Sequence, residues 1–284
     1  MSIYSYRAAA VTDPGPVKKR NEDSYILRAA VAGGEQILFA LVADGMGGLA
    51  DGDLASFVVK RAFEEWFLRD LPDLLEKESF EEELAGQWQE IIRSGNEKLN
   101  AGPSASGTTL TALLLFRGRF YTANIGDSRI YRLSGGGLFQ LTVDHSWAQE
   151  ALSMGMGPGE IERDPRKNSL TRCIGAGLSD DPDTDYTSGA FAFGDVFLLC
   201  SDGLRHLVSV SEIREILESE TMSTREKGNL LVNTAKERHE RDNITAVVVS
   251  CCEGDGKPSE SETNKEEIFA EEGADRTLKL KIRC

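Results

Sequence analysis

This sequence has no apolar run approaching the roughly 20 residues that a membrane-spanning helix needs. It has no basic block of useful length, and only three histidines in 284 residues. Its first ten residues lack the charged-then-apolar layout of a secretory leader. These absences argue against a membrane protein and set the expected location as the cytoplasm. The five cysteines are odd in number and contain no C-x-x-C, and the histidines are not spaced as a ligand pair beside them. A zinc site is therefore not expected, and Cys173 and Cys200, set in apolar or mixed runs, read as ordinary buried thiols.

Negative charge, by contrast, is abundant. Forty-seven acidic residues against 32 basic ones give a net charge of −15. Such a chain repels nucleic acid and anionic membrane, and its acidity suits a site that concentrates divalent cations. The length is enough for one large domain with a substantial core, expected over residues 5–252. Residues 253–284 are polar and poor in aromatics, and read as an acidic, flexible tail. A monomer is expected.

The stretch LVADGMGG at residues 41–48 is an apolar run that halts at Asp44. Gly45, Gly47 and Gly48 let the backbone turn sharply and bring a carbonyl oxygen close to whatever Asp44 holds. Hard cations such as Mg2+ and Mn2+ take this oxygen set of carboxylate, carbonyl and water, although the octapeptide alone reads equally well as a strand ending in an Asp-Gly turn. VFLLCSDG at 196–203 repeats the design with Asp202. Asp242 and Asn243 reverse it, standing before the apolar run 244–249, so an antiparallel arrangement brings Asp44, Asp202 and Asp242 to one sheet end. GDSR at 126–129 adds Asp127 where a strand breaks. KKRNED at 18–23 sets Lys18, Lys19 and Arg20 directly before Glu22 and Asp23. That cluster is either a solvated hairpin of ion pairs or an anion-holding group beside a metal-holding one. Asp181, Asp183 and Asp185 mimic an EF-hand, but Tyr186 and Ala192 stand where its glycine and glutamate belong, so no calcium loop is expected.

Periodicity predicts an edge strand over 5–11, a turn at Asp13-Pro14-Gly15-Pro16 and a buried strand over 37–43. A helix over 49–71 should end at Pro72. A second runs from Ser79, with Glu82 in capping-box position, to Leu99, and Trp66 and Trp88 read as core residues of the pair. An antiparallel meander follows over 108–141, then a helix opened by Ser146 and a mobile loop over 154–168. Strand character resumes at 168–174, 185–188 and 195–200, with helices over 211–217 and 224–235. The class is α+β.

The ordered set NED (21–23), ADGMGG (43–48), SGTT (106–109), GDSR (126–129), SDG (201–203) and DN (242–243) resembles the metal-dependent type 2C protein serine/threonine phosphatases, especially their bacterial branch. The resemblance covers about residues 5–252. It implies a central β-sandwich of two antiparallel sheets flanked by helix pairs on both outer faces, α-β-β-α. It also implies hydrolysis of phosphoserine and phosphothreonine in protein substrates by direct attack of a hydroxide bridging two Mn2+ or Mg2+ ions, opposed by a cognate serine/threonine kinase.

Carried over by position, the resemblance makes Asp44 the bridging carboxylate, Gly45 the donor of a carbonyl to the second ion, and Asp202 and Asp242 ligands of the first. Asp127, with Asp202, would hold a third, weaker ion. Asp23 completes the catalytic set of Asp23, Asp44, Asp202 and Asp242; with Glu22 beside it, it would hold water of the metal centre, supported by Thr108 and Asn243. Three positions depart from the family pattern. The phosphate-gripping arginine falls on Lys18, leaving the grip to Lys18 or Arg20. Met46 stands where some members carry a histidine, and His206 where some carry an aspartate, which puts the third ion in question. Residues 154–168 correspond to the family's variable flap. Two other readings stand beside this one: a silent relative that binds phosphoproteins, which the intact acidic set argues against, and a small-molecule phosphoesterase on the same fold.

Overall fold

The computed structural model describes residues 4–46, 51–102 and 106–254, and the backbone of 277–278. Three strands open the chain, β1 (Tyr4–Asp13), β2 (Asp23–Ala32) and β3 (Glu35–Met46), followed by helices α1 (Gly52–Arg69), α2 (Leu71–Leu74) and α3 (Phe80–Asn100). The meander comprises β4 (Gly107–Thr108), β5 (Leu110–Phe116), β6 (Arg119–Ile125), β7 (Arg129–Ser134) and β8 (Gly137–Gln140). Next come α4 (Trp147–Ser153), α5 (Pro158–Ile161), β9 (Ile174–Gly175), β10 (Asp185–Ala190) and β11 (Val196–Cys200). The last elements are α6 (Asp202–Arg205), α7 (Val210–Glu218), α8 (Thr224–Glu237), β12 (Ile244–Glu253) and β13 (Thr277–Leu278).

The strands form two sheets, ordered β1-β12-β11-β7-β8 and β10-β6-β5-β3-β2-β13, with β4 and β9 continuing from β3. As expected, β1 is an edge strand. Every pairing between named strands is antiparallel except β13 beside β2.

The unbroken apolar run of β3 is explained by its two faces, since alternate residues of a strand point to opposite sides. Phe39 and Leu41 join Phe63, Trp66, Phe67 and Trp88 of α1 and α3. Leu38, Ala40 and Val42 meet Leu113, Phe197, Leu199 and Val247 between the sheets. A third core sets Leu198 and Val248 against Ile213, Leu217 and Leu231 of α7 and α8. The result is the four-layer order α-β-β-α. Trp66 and Trp88 are buried core residues as expected, edge to face at 5.6 Å, and Phe39 stacks on Phe63 and Phe67.

Several local expectations are corrected. Pro72 does not close the first long helix; α1 already ends at Arg69, and Pro72 sits in the first turn of α2, where its missing N–H is harmless. Ser79 makes no capping box; its backbone (φ −86°, ψ 31°) is not extended as a cap requires, and its hydroxyl donates to Glu83 Oε1 at 2.7 Å. The strand expected over 168–174 shrinks to a Ser146–Leu170 bridge and β9, since residues 164–169 turn back through Lys167 N–H to Asp164 O and Ser169 N–H to Arg166 O. The loop over 154–168 contains α5, and the Arg166 guanidinium lies 4.3 Å over the Trp147 ring. Among the described residues no helix is long and apolar enough to cross a membrane.

Candidate active site

The carboxylates singled out in the sequence come from separate elements at one end of the sandwich. Asp23 opens β2 directly opposite Asp44 near the end of β3. Asp202 follows β11 and opens α6, whereas Asp242 precedes β12. Because β11 and β12 run antiparallel, with Cys200 opposite Ala246, the end of one meets the beginning of the other. This is the convergence that the reversed Asp-strand order implied.

The two sheets are tied together at this rim by one carboxylate. Asp23 Oδ2 accepts hydrogen bonds from Ser201 Oγ at 2.8 Å and Thr245 Oγ1 at 2.6 Å, so a residue of one sheet is oriented by hydroxyls of the other. Nearby, buried Asn243 pins the loop before β2. Its Oδ1 accepts from Glu22 N–H at 2.8 Å, and its Nδ2 donates to Pro14 O at 3.0 Å and Arg20 O at 2.9 Å. The loop approaches so closely that a Cβ on Gly15, whose φ is +74°, would lie 2.3 Å from Asp242 O.

The Asp44 main chain is held by the SGTT stretch. Thr108 Oγ1 donates to Asp44 O at 3.0 Å, and Asp44 N–H donates to Thr109 Oγ1 at 3.0 Å. Thr109 Oγ1 lies in turn 2.9 Å from Ser128 Oγ of the GDSR turn. Gly45 donates its N–H to Glu22 O, and a Cβ there would sit 2.1 Å from Gly52 O and 2.6 Å from Glu22 O. Only glycine fits, because both neighbours are backbone atoms that cannot swing aside. Gly47 and Gly48 lie outside the described residues.

Negative charge outweighs positive here. The Asp44 carboxylate makes no hydrogen bond or ion pair among the described residues. Burial lifts it well above the ordinary carboxylate range, and Asp23, Asp202, Asp127 and Asp242 push it further. Burial likewise raises Asp23 to about 7, against the pull of the Thr245 and Ser201 hydroxyls and with a push from Asp202 and Asp242. Among the described residues Asp23 Oδ1 and Asp202 Oδ1 are buried without a partner. Among the described residues no three ligand-type side chains form a ready metal cluster. The carboxylates are spread round the rim, close enough for Asp44 to feel the other four.

The basic residues behave differently from one another. Lys18 Nζ stands 2.9 Å from Asp242 Oδ1 and 3.1 Å from Glu22 Oε2. Burial opposes its charge, but Asp242 and then Glu22 outweigh that and hold the ammonium above its usual range. Arg20 is mostly exposed and its nearest acid is Asp53 of α1, 3.7 Å away. Asp127 belongs to a second charge group, in which Arg205 Nη2 donates to its Oδ2 at 2.5 Å. Burial, then Asp202, raises Asp127 to about 6, with Arg205 pulling the other way.

Reading the sequence alone missed the wiring. Ser201, Thr109 and Ser128 lay inside the quoted motifs without a role, Thr245 lay two residues past Asn243, and nothing in the pattern pointed to Arg205.

A four-layer α-β-β-α sandwich with an all-oxygen acidic rim at one end suits a hydrolase that uses hard divalent ions. The profile of the protein phosphatase 2C family matches residues 17–234, and the chain belongs to that family. It is 34% identical over 247 residues to the serine/threonine phosphatase stp of Listeria welshimeri, covering 84% of this chain and 93% of that one. Its structure is similar to the Streptococcus agalactiae serine/threonine phosphatase, with a TM-score of 0.76, 28% identity and coverage of 87% and 99% of the two chains. It is also similar to the catalytic domain of serine threonine protein phosphatase PstP in complex with two manganese ions, with a TM-score of 0.70, 32% identity and coverage of 88% and 100%. The protein is thus a metal-dependent phosphatase that acts on phosphoserine and phosphothreonine in proteins.

Proposed function

We propose that the rim formed by Asp44, Gly45, Asp202 and Asp242 is the two-ion centre at which this phosphatase hydrolyses its phosphoprotein substrates. The observation that carries the reading is the hydrogen-bonded wiring of the six motifs. NED is tied to SDG and DN through Asp23 and Asn243, and ADG to SGTT and GDSR through Thr108, Thr109 and Ser128.

The residues fit hard divalent ions. Among the described residues the Asp44 carboxylate makes no hydrogen bond, Asp202 has an orphaned buried oxygen, and the Gly45 position is a backbone no side chain could enter. Mn2+ or Mg2+, when bound, supplies Lewis acidity toward water and the phosphoryl oxygens. The protein's own groups do the rest. Asp23, turned by Ser201 and Thr245 through its Oδ2, offers its Oδ1 as hydrogen-bond acceptor to the attacking water and orients it. Glu22, Thr108 and Asn243 hold the main chain that carries Asp23 and Asp44. Lys18, on the rim, grips the substrate phosphate, whereas Arg20 is turned toward α1.

The catalytic domain is taken as residues 5–252, and most of the acidic tail expected over 253–284 lies outside the described residues. A kinase that esterifies the same serines and threonines is the required counterpart, and the protein acts as a cytoplasmic monomer. Hydrolysis of a phosphothreonine peptide with added Mn2+, abolished by EDTA and by Asp202→Asn, tests the reading. Full activity in EDTA would refute it.

A further inference from the structure

The resemblance implies a third ion on Asp127, but the residues around Asp127 do not fit one. Arg205 grips this aspartate with two prongs. Nη2 donates to Asp127 Oδ2 at 2.5 Å and Nε to Asp127 O at 3.1 Å, so one carboxylate oxygen and the carbonyl are both engaged. The same Nη2 lies 3.8 Å from Asp144 Oδ2, and Asp144 is held in bidentate fashion by Arg129 at 2.8 and 2.6 Å. Two guanidiniums thus balance two carboxylates, all four largely buried. A guanidinium does not lose its proton in a protein. A divalent ion on Asp127 Oδ2 would have to expel Arg205 and strand its charge in a largely buried site, and one on Oδ1 would sit against a fixed guanidinium charge, and both are costly.

The neighbouring position adds no ligand charge. Where some members carry an aspartate four residues after the SDG aspartate, His206 stands here, with its Nε2 3.7 Å from Asp202 Oδ2. The core rim is the reverse case, since Asp202 Oδ1 has no partner.

We propose that the Arg205 guanidinium occupies the third-ion seat on Asp127, so that this phosphatase works with a core ion pair and a built-in cation. The proposal rests on the two-ion reading of the Asp44 rim. Helix α6 then serves both ends of the arrangement, with Asp202 at its first position turned to the ions and Arg205 at its last neutralising Asp127.

Equilibrium dialysis against Mn2+ at increasing concentration tests this on the full-length protein and on two variants. The expected result is two ions at saturation for the unaltered protein, two for Asp127→Asn, and three for Arg205→Thr. A third ion on the unaltered protein that disappears in Asp127→Asn would overturn the proposal, as would a folded Arg205→Thr protein that still holds only two. If Arg205→Thr does not fold, the comparison with Asp127→Asn decides alone. Fewer than two ions on the unaltered protein would instead overturn the reading of the Asp44 rim.

Discussion

Replacing Asn243 by alanine removes three hydrogen bonds at once. Glu22 N–H, Pro14 O and Arg20 O all lose their partner, and Asn243 is 2% exposed, so water cannot readily replace it. At about 1 kcal/mol each, three neutral hydrogen bonds come to about 3 kcal/mol of stability. For a domain of this size that is a drop in Tm of roughly 6–12 °C. The damage is local to the site, because the released segment, residues 14–22, carries Lys18 and Glu22 and leads into Asp23. Asn243→Ala should therefore lower stability in urea by about 3 kcal/mol and weaken Mn2+ binding in the same protein, although Asn243 touches no ion. A loss below about 1 kcal/mol, or full Mn2+ affinity in a destabilised variant, would refute the argument that this one amide braces the rim.

Gly45→Ala forces a Cβ against two backbone oxygens, at 2.1 and 2.6 Å, and should cost about 1–3 kcal/mol while lowering Mn2+ affinity in calorimetric titration. Lys18→Ala should raise KM for a phosphopeptide with kcat largely kept, and an unchanged KM would move the phosphate grip to Arg20. Without metal, Asp23 and Asp127 are held at about 7 and about 6, above the unfolded value near 4, so the folded state binds more protons across that window. Their contribution to stability is complete below about pH 4 and is lost as pH rises through 6–7. Because Mn2+ held beside Asp23 competes with the proton that Asp23 carries below that range, melting curves should show Mn2+ raising Tm more at pH 7.5 than at pH 5, and an equal rise at both would contradict the assignment.

Much of the layout was legible because it follows from local pattern. The apolar run of β3 and the helical spacing around Trp66 and Trp88 foretold a buried strand with two helices packed on its sheet, and the reversal of Asp and strand between 196–203 and 242–249 foretold which sheet end collects the acids. What could not be read depends on atoms distant in the chain. The bonds from Ser201 and Thr245 to Asp23 span 178 and 222 residues, and only the packing of the two sheets brings them together. Ser79 departs from the capping-box rule because its backbone, at φ −86° and ψ 31°, is not in the extended conformation that Ser209 and Ser223 adopt where they do cap their helices. Arg205 carried no motif signal, as its meaning comes from facing Asp127 across the rim.

The most direct test is a crystal of the unaltered protein grown with Mn2+ and measured at the manganese absorption edge. Two anomalous peaks should lie against the Asp44 carboxylate, bounded by Gly45 O, Asp202 and Asp242, with Lys18 displaced from Asp242. Ions bound elsewhere on the acidic surface, with Asp44 touching none of them, would contradict the account.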